Sequence, residues 1–191
     1  MTLEEKILED KMILVCYDFE ASNEGNIERT MMRNELTGKP FFARMMTQSV
    51  YYLPESMATL ETVRRWAKSK SADIRVFGNI DATIADRKRL ARDYVRYLKD
   101  LVSEMREIAK RVKKDLHEFE ENIEDEDATL RGWHTKISGI TNRFEDLRKA
   151  VSRVGDDDDE LELEMMASYV KTLETRYERI KLMKARENGK H

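Results

Sequence analysis

Along the first eighty residues the spacing of apolar positions changes several times, which is the mark of a mixed domain. "KMILVCYDF" (11–19) is apolar and partly β-branched without alternation, as a central strand covered by helices should be. "SNEGNIERTMMRNELTG" follows: Ser22 or Asn23 can cap it, Ile27, Met31 and Met32 supply an apolar stripe, and Gly38 with Pro40 closes it, predicting a helix of about three turns. "PFFARMMTQSVYYLPES" is rich in aromatic and β-favouring residues, enough for two short strands broken near Thr47 to Ser49 and ended by Pro54. "SMATLETVRRWAKSKS" sets Met57, Leu60, Val63, Trp66 and Ala67 at helical spacing with Ser56 as its cap, and "ADIRVFGNI" alternates Ile74 and Val76 against Asp73 and Arg75 as a fourth strand.

The resulting order, β-α-β-β-α-β, is the split βαβ arrangement of a ferredoxin-like sandwich, with two helices on one face of an antiparallel sheet, over residues 1–81. Beyond Asp81 no Pro occurs and the spacing becomes that of long helices. Tyr94, Leu98, Leu101, Met105, Ile108 and Val112 step by four and three, and Leu116, Phe119 and Ile123 resume after an extra four-residue step. A helix from about Thr83 to Glu124 would be roughly 60 Å long, so its N-terminal third should pack on the sheet domain or on a second subunit. A second series runs through Leu130, Trp133, Ile137, Ile140, Phe144, Leu147, Val151 and Val154 to Gly155, and a third through Met166, Val170, Leu173, Tyr177 and Ile180. Joined by the acidic connectors "EDEDA" and "GDDDDE", these helices predict a left-handed, coiled-coil-like antiparallel three-helix bundle over 82–191. The expected fold class is α+β: a ferredoxin-like βαββαβ domain followed by that bundle.

Composition narrows the possibilities. Charged residues make up 38% of the 191 positions and aromatics 8%, with 7 Gly and 2 Pro, so helix breakers are scarce. The formal charge of −3 excludes the extreme basicity of a histone-like coat but hides an asymmetry, since Arg87 to Lys114 is basic on balance and Leu116 to His191 acidic. The single cysteine, Cys16, excludes an internal disulfide and a cysteine-based zinc site. The acidic start "MTLEEKILEDK" is unlike a signal peptide, and no apolar run approaches the roughly 20 residues of a membrane span, so the expected setting is cytoplasmic, without a membrane.

Two features carry candidate chemistry. Asp18 closes the first strand, where it either binds a metal or substrate or turns the chain into the following helix by satisfying free backbone N–H groups, with Ser22. "DRKRLARDYVRYLK" places Arg87, Lys88, Arg89, Arg92, Arg96 and Lys99 on one helix; Arg89, Arg92, Arg96 and Lys99 fall along one side at a spacing that can follow a phosphate backbone, with Tyr94 and Tyr97 as candidate stacking groups. The alternative is a solvated face neutralised by Asp86, Asp93 and Asp100. His117, His134 and His191 have no partner Cys and do not cluster with one another, so a zinc site or a nucleophilic triad is not expected and they read as solvated helix positions. "GDDDDELELE" lacks the ligand spacing and central Gly of a calcium loop. "SVYYLP" lacks the glycine-and-aromatic signature of an RNA-recognition domain, and the 11 methionines read as core.

The strand ending in Tyr17–Asp18, the "QSVYYLP" strand and the "IRVF" strand together resemble a ferredoxin-like group: CRISPR-associated adaptation proteins with proposed endoribonuclease activity, virulence-associated protein D toxins, the C-terminal domain of the phenylacetate-catabolism repressor and the N-terminal domain of chromate-resistance regulators. The resemblance covers about residues 11 to 80 and implies a homodimer. For Asp18 it implies that two copies meet across a dimer axis to hold a divalent metal such as Mg²⁺, with Glu20 and Glu24 as further oxygen donors. The helical extension departs from the compact nuclease-like members. The functional expectation is therefore a non-catalytic regulatory or scaffolding protein without a cofactor, dimerising through the sheet domain and presenting helices to a protein or nucleic-acid partner. The alternative is a metal-dependent nuclease using Asp18 from each subunit.

Overall fold

A computed structural model of the chain describes residues 2–18, 23–70, 72–78, 80, 82–121, 127–154 and 162–188. The elements are α1 (Leu3–Glu9), β1 (Met12–Asp18), α2 (Asn23–Thr37), β2 (Arg44–Thr47), β3 (Val50–Pro54), α3 (Leu60–Lys68), β4 (Asp73–Gly78), α4 (Ile84–Glu121), α5 (Asp127–Val154) and α6 (Leu163–Asn188). The chain forms two compact units, Met1–Leu98 with Asp146–Asp157, and Lys99–Glu145 with Asp158–His191.

In the first unit the four strands lie in the order β2-β3-β1-β4, each pair antiparallel. This is the order of a ferredoxin-like sandwich, as the alternation of elements predicts. β1 is the inner strand that both halves share: Leu14 faces Tyr52 on one side and Phe77 on the other, and Val15 faces Tyr51 and Val76. Because side chains alternate, Ile13, Val15, Tyr17, Tyr51 and Leu53 share one face, and all are buried. That face carries α2 and α3. Gly78 of β4 leaves room for Leu60 of α3, and Trp66 of α3 donates from Nε1 to Glu35 of α2 at 2.7 Å. Phe41 meets the Trp66 ring edge-on at 5.2 Å between centroids.

The first turns of α4 cover part of the other face. Tyr94 is fully enclosed, its ring 6.0 Å from that of Tyr52, and its hydroxyl donates to the Phe42 carbonyl at 2.9 Å. The Tyr97 hydroxyl donates to Thr37 O at 3.3 Å, so the N-terminal part of the long helix does pack on the sheet domain. The end of α5 joins the same unit, where Asp146 pairs with Lys39 at 2.8 Å and Arg153 donates to Met57 O at 3.2 Å.

One element was not anticipated and two local expectations are corrected. A first helix, α1, precedes β1; its cap is a reciprocal box in which Glu5 N–H donates to Thr2 Oγ1 at 3.2 Å and Thr2 N–H to the Glu5 carboxylate at 2.7 Å. On α2 the buried stripe is Met32 and Leu36, whereas Ile27 and Met31 are 63% and 58% exposed, because the helix turns its second apolar stripe outward. The cap of α3 is Thr59, which accepts from Thr62 N–H at 3.3 Å; Ser56 instead donates its N–H to Asp10 Oδ2 at 2.9 Å.

The second unit is built on the predicted seams. Leu101, Met105, Val112 and Leu116 of α4, Trp133, Ile137, Ile140 and Phe144 of α5, and Met166, Val170, Leu173, Tyr177 and Ile180 of α6 are all buried. Side-chain links fix the directions. Arg106 binds Glu162 and Arg176 lies 2.8 Å from His117 Nδ1, so α4 and α6 run parallel. Thr141 donates to Glu174 at 3.0 Å and the His134 and Tyr177 rings lie 5.8 Å apart, so α5 runs against α6. Phe119, Ile123 and both acidic connectors involve positions outside those whose side chains are described.

Candidate functional site

Asp18 is the last residue of β1 and is exposed. Strand alternation turns it to the face opposite Tyr17, and the antiparallel register sets it directly across from Asp73 of β4. Two carboxylates in such a pair repel. Arg75, two residues along, donates to Asp73 Oδ2 at 3.2 Å and offsets that repulsion. Leu14, Cys16 and Phe77 lie on the same face, which α4 leaves open: Leu14 and Cys16 are half-buried and Phe77 is 49% exposed. Burial pushes the Cys16 thiol above its ordinary value, opposed by the Arg75 charge, so it is not poised as a thiolate nucleophile.

A divalent cation needs several oxygen donors around it. Asp18 and Asp73 supply two carboxylates, one of them held by Arg75, and among the described residues no group of three or more His, Cys, Asp or Glu is placed to hold a metal. Asp18 and Asp73 of one chain do not by themselves complete the oxygen shell of a divalent cation, and no chemical step is built on them. Glu20, Ser22 and the Glu24 side chain lie outside the described residues.

The basic run on α4 divides by its turn of the helix. Arg87 points inward and donates from Nη2 to Leu8 O at 2.8 Å and to Asp10 O at 3.4 Å, clamping the corner between α1 and β1. Lys88, Arg89, Arg92, Arg96 and Lys99 are exposed. Arg92 pairs with Glu4 at 3.1 Å, and Arg89 borders a recess with Arg44, Asp86 and Asp93, so part of the row meets acidic neighbours. Lys99 belongs to the second unit. Tyr94 and Tyr97 are buried with bonded hydroxyls, so neither ring is available to stack on a base.

Asp73 and the open face around Phe77 were not found from the sequence, because cross-strand register sets them beside Asp18 and spacing along the chain does not reveal register. His117 and His134 are exposed helix positions engaged with Arg176 and Tyr177, and His191 lies outside the described residues. No helix among the described residues is long and apolar enough to cross a membrane. Comparison with protein-family models, curated proteins and solved structures finds no match to this chain.

Proposed function

We propose that this chain is a non-catalytic regulatory or scaffolding protein that forms a homodimer through its ferredoxin-like unit and presents its helices to a partner, nucleic acid being the candidate that the exposed α4 cations favour. The observation that carries this reading is the open sheet face beside the β4 edge, where Phe77 stands 49% exposed next to half-buried Leu14 and Cys16. An apolar strip at an unpaired strand edge is costly to leave in water and invites a partner. A second copy suits it: Asp18, Asp73 and Arg75 on the same face supply charges of both signs, as a two-fold, self-complementary interface requires. Phe77→Asp places a carboxylate in that strip and should convert the dimer to a monomer without unfolding it. If Arg89→Glu with Arg92→Glu leaves nucleic-acid retention at low salt unchanged, the cation row is ordinary surface and the partner is a protein.

A second reading, a metal-dependent nuclease using Asp18 from each of two subunits, draws on the juxtaposition of Asp18 and Asp73 at the strand ends. Degradation of RNA or DNA by the purified protein with Mg²⁺, lost in a folded Asp18→Ala variant, would put it first.

A further inference from the structure

Between β2, at one edge of the sheet, and the first turns of α4 lies a recess of about 470 Å³. Asp86, Arg89 and Asp93 line it from α4, where steps of three and four residues put them on one side of the helix, and Arg44 lines it from β2. Two guanidinium groups and two carboxylates therefore share one opening. Among the described residues these four make no ion pair, either with one another or with a neighbour. Arg44 lies over the Tyr97 ring, 5.4 Å from its centroid, and Asp86 accepts from the Thr83 hydroxyl at 2.6 Å, so their neighbours position them without cancelling their charge. Both signs reach the same point of the floor: burial and then the Asp93 charge raise the Tyr52 phenol, and the Arg44 charge opposes them. The Tyr52 hydroxyl is itself directed to Leu90 O at 3.5 Å. The rim is apolar, with Met45 and Met46 41% and 49% exposed.

We infer that this recess binds a small zwitterion with an apolar body, an aliphatic amino acid or a dipeptide of such residues. Its carboxylate lies against Arg44 and Arg89, its ammonium against Asp93, and its apolar body against Met45 and Met46. The argument is electrostatic. Two cations and two anions cancel, so a ligand of one sign meets a like charge along with each opposite one, whereas a molecule carrying both signs pairs with the site and brings in no net charge. Guanidinium groups hold a carboxylate by planar, two-pronged hydrogen bonds, and a free carboxylate is the matching acceptor for an ammonium. The volume lies within the range of small-molecule pockets, roughly 300–1,000 Å³, and leaves room for an aliphatic side chain beside the charged end. The recess lies wholly in the sheet unit and adjoins β2, the edge opposite the β4 edge proposed for dimerisation, so the two are tested independently. Arg89 also belongs to the exposed cation row, and the test therefore turns on Asp93, whose neutralisation cannot weaken a phosphate contact.

The test is calorimetric titration of the intact chain with L-leucine and with L-leucyl-L-leucine at low ionic strength, beside isocaproate, which lacks the ammonium, and leucinamide, which lacks the carboxylate. Saturable binding of at least one zwitterion, about tenfold or more tighter than either control, is expected, and the tighter of the two tells amino acid from dipeptide. Asp93→Asn, which keeps the shape of the side chain, and Arg89→Gln, at an exposed position, should each weaken that binding by about tenfold or more, the effect of losing one charge-assisted hydrogen bond. Arg65→Gln, on α3, should leave it unchanged. Absence of saturable binding by either zwitterion, equal binding of isocaproate or leucinamide, or binding that survives both Asp93→Asn and Arg89→Gln overturns the assignment.

Discussion

Tyr94→Phe removes a single oxygen from the best-enclosed point of the sheet unit. The side chain has no solvent exposure, and its hydroxyl donates to the Phe42 carbonyl at 2.9 Å. Phe42 sits at φ 46°, a conformation that side-chain-bearing residues rarely adopt, held also by its own N–H donating to Gly38 O at 2.8 Å. The substitution keeps the ring, so the loss is the net hydrogen bond, about 1 kcal/mol, together with the cost of leaving a carbonyl that water cannot reach, about 1–3 kcal/mol for a buried group. An effect near ~2 kcal/mol is expected. Tyr97→Phe is the control: that bond is longer, 3.3 Å, and only part-buried, so water can replace the hydroxyl and the effect should stay below ~1 kcal/mol. Urea denaturation in a Trp133→Phe background reads the sheet unit through Trp66 alone, and the midpoint should fall with the slope unchanged. A Tyr94→Phe midpoint equal to that of the parent, or a larger loss in Tyr97→Phe, would refute the reasoning.

The remaining expectations concern the same unit. Arg87→Gln loses the clamp on Leu8 O and Asp10 O and should destabilise by about 1.5–3 kcal/mol in the same assay, whereas Lys88→Gln, on the exposed side, should change little. Burial raises the Glu35 carboxyl, but the hydrogen bonds from Lys70 and Trp66 and the Lys70 charge outweigh it and hold the group below its ordinary value. Its contribution is therefore present above the unfolded value of about 4.3 and lost as pH falls further, and Glu35→Gln should flatten the acid limb of the stability profile. The Tyr52 phenol is pushed up to about 12, chiefly by burial and then by Asp93, against Arg44. Its contribution is intact below the unfolded value of about 10 and lost as pH rises toward 12, so Tyr52→Phe should flatten the alkaline limb.

The pattern along the chain disclosed most of the architecture, for reasons visible at particular residues. The unalternated run from Met12 to Tyr17 marks an inner strand, buried on the face that carries α2 and α3 and half-buried at Leu14 and Cys16 on the other, and the break at Thr47 to Ser49 falls between β2 and β3. The seam from Tyr94 to Leu116 is buried throughout except at half-buried Ile108, because a long helix repeats its signal often enough to be read. Seven-residue α1 offered only Leu3 and Ile7, too short a period to count, although the Thr2 and Glu5 spacing of a capping box was there. α2 carries two apolar stripes, and spacing shows that stripes exist without showing which one meets the sheet.

The candidate sites were less legible because each depends on pairing across the fold. Asp73 reaches Asp18 through register, and Arg44 shares a recess with Asp93 through the seating of α4 on the sheet. Arg87, which on paper belongs with the solvent-facing cations, lies on the turn of α4 that meets α1. The aromatic residues of the basic run belong to the core, since a helix that covers a sheet must place Tyr94 and Tyr97 on the covered side.

Sedimentation equilibrium of the purified chain over a range of concentrations, with Phe77→Asp alongside, tests self-association through the open sheet face most directly. A mass twice 22.6 kDa for the parent and 22.6 kDa for a folded Phe77→Asp variant is the predicted result. A parent that stays at 22.6 kDa at every concentration, or a dimer that Phe77→Asp leaves intact, would contradict it.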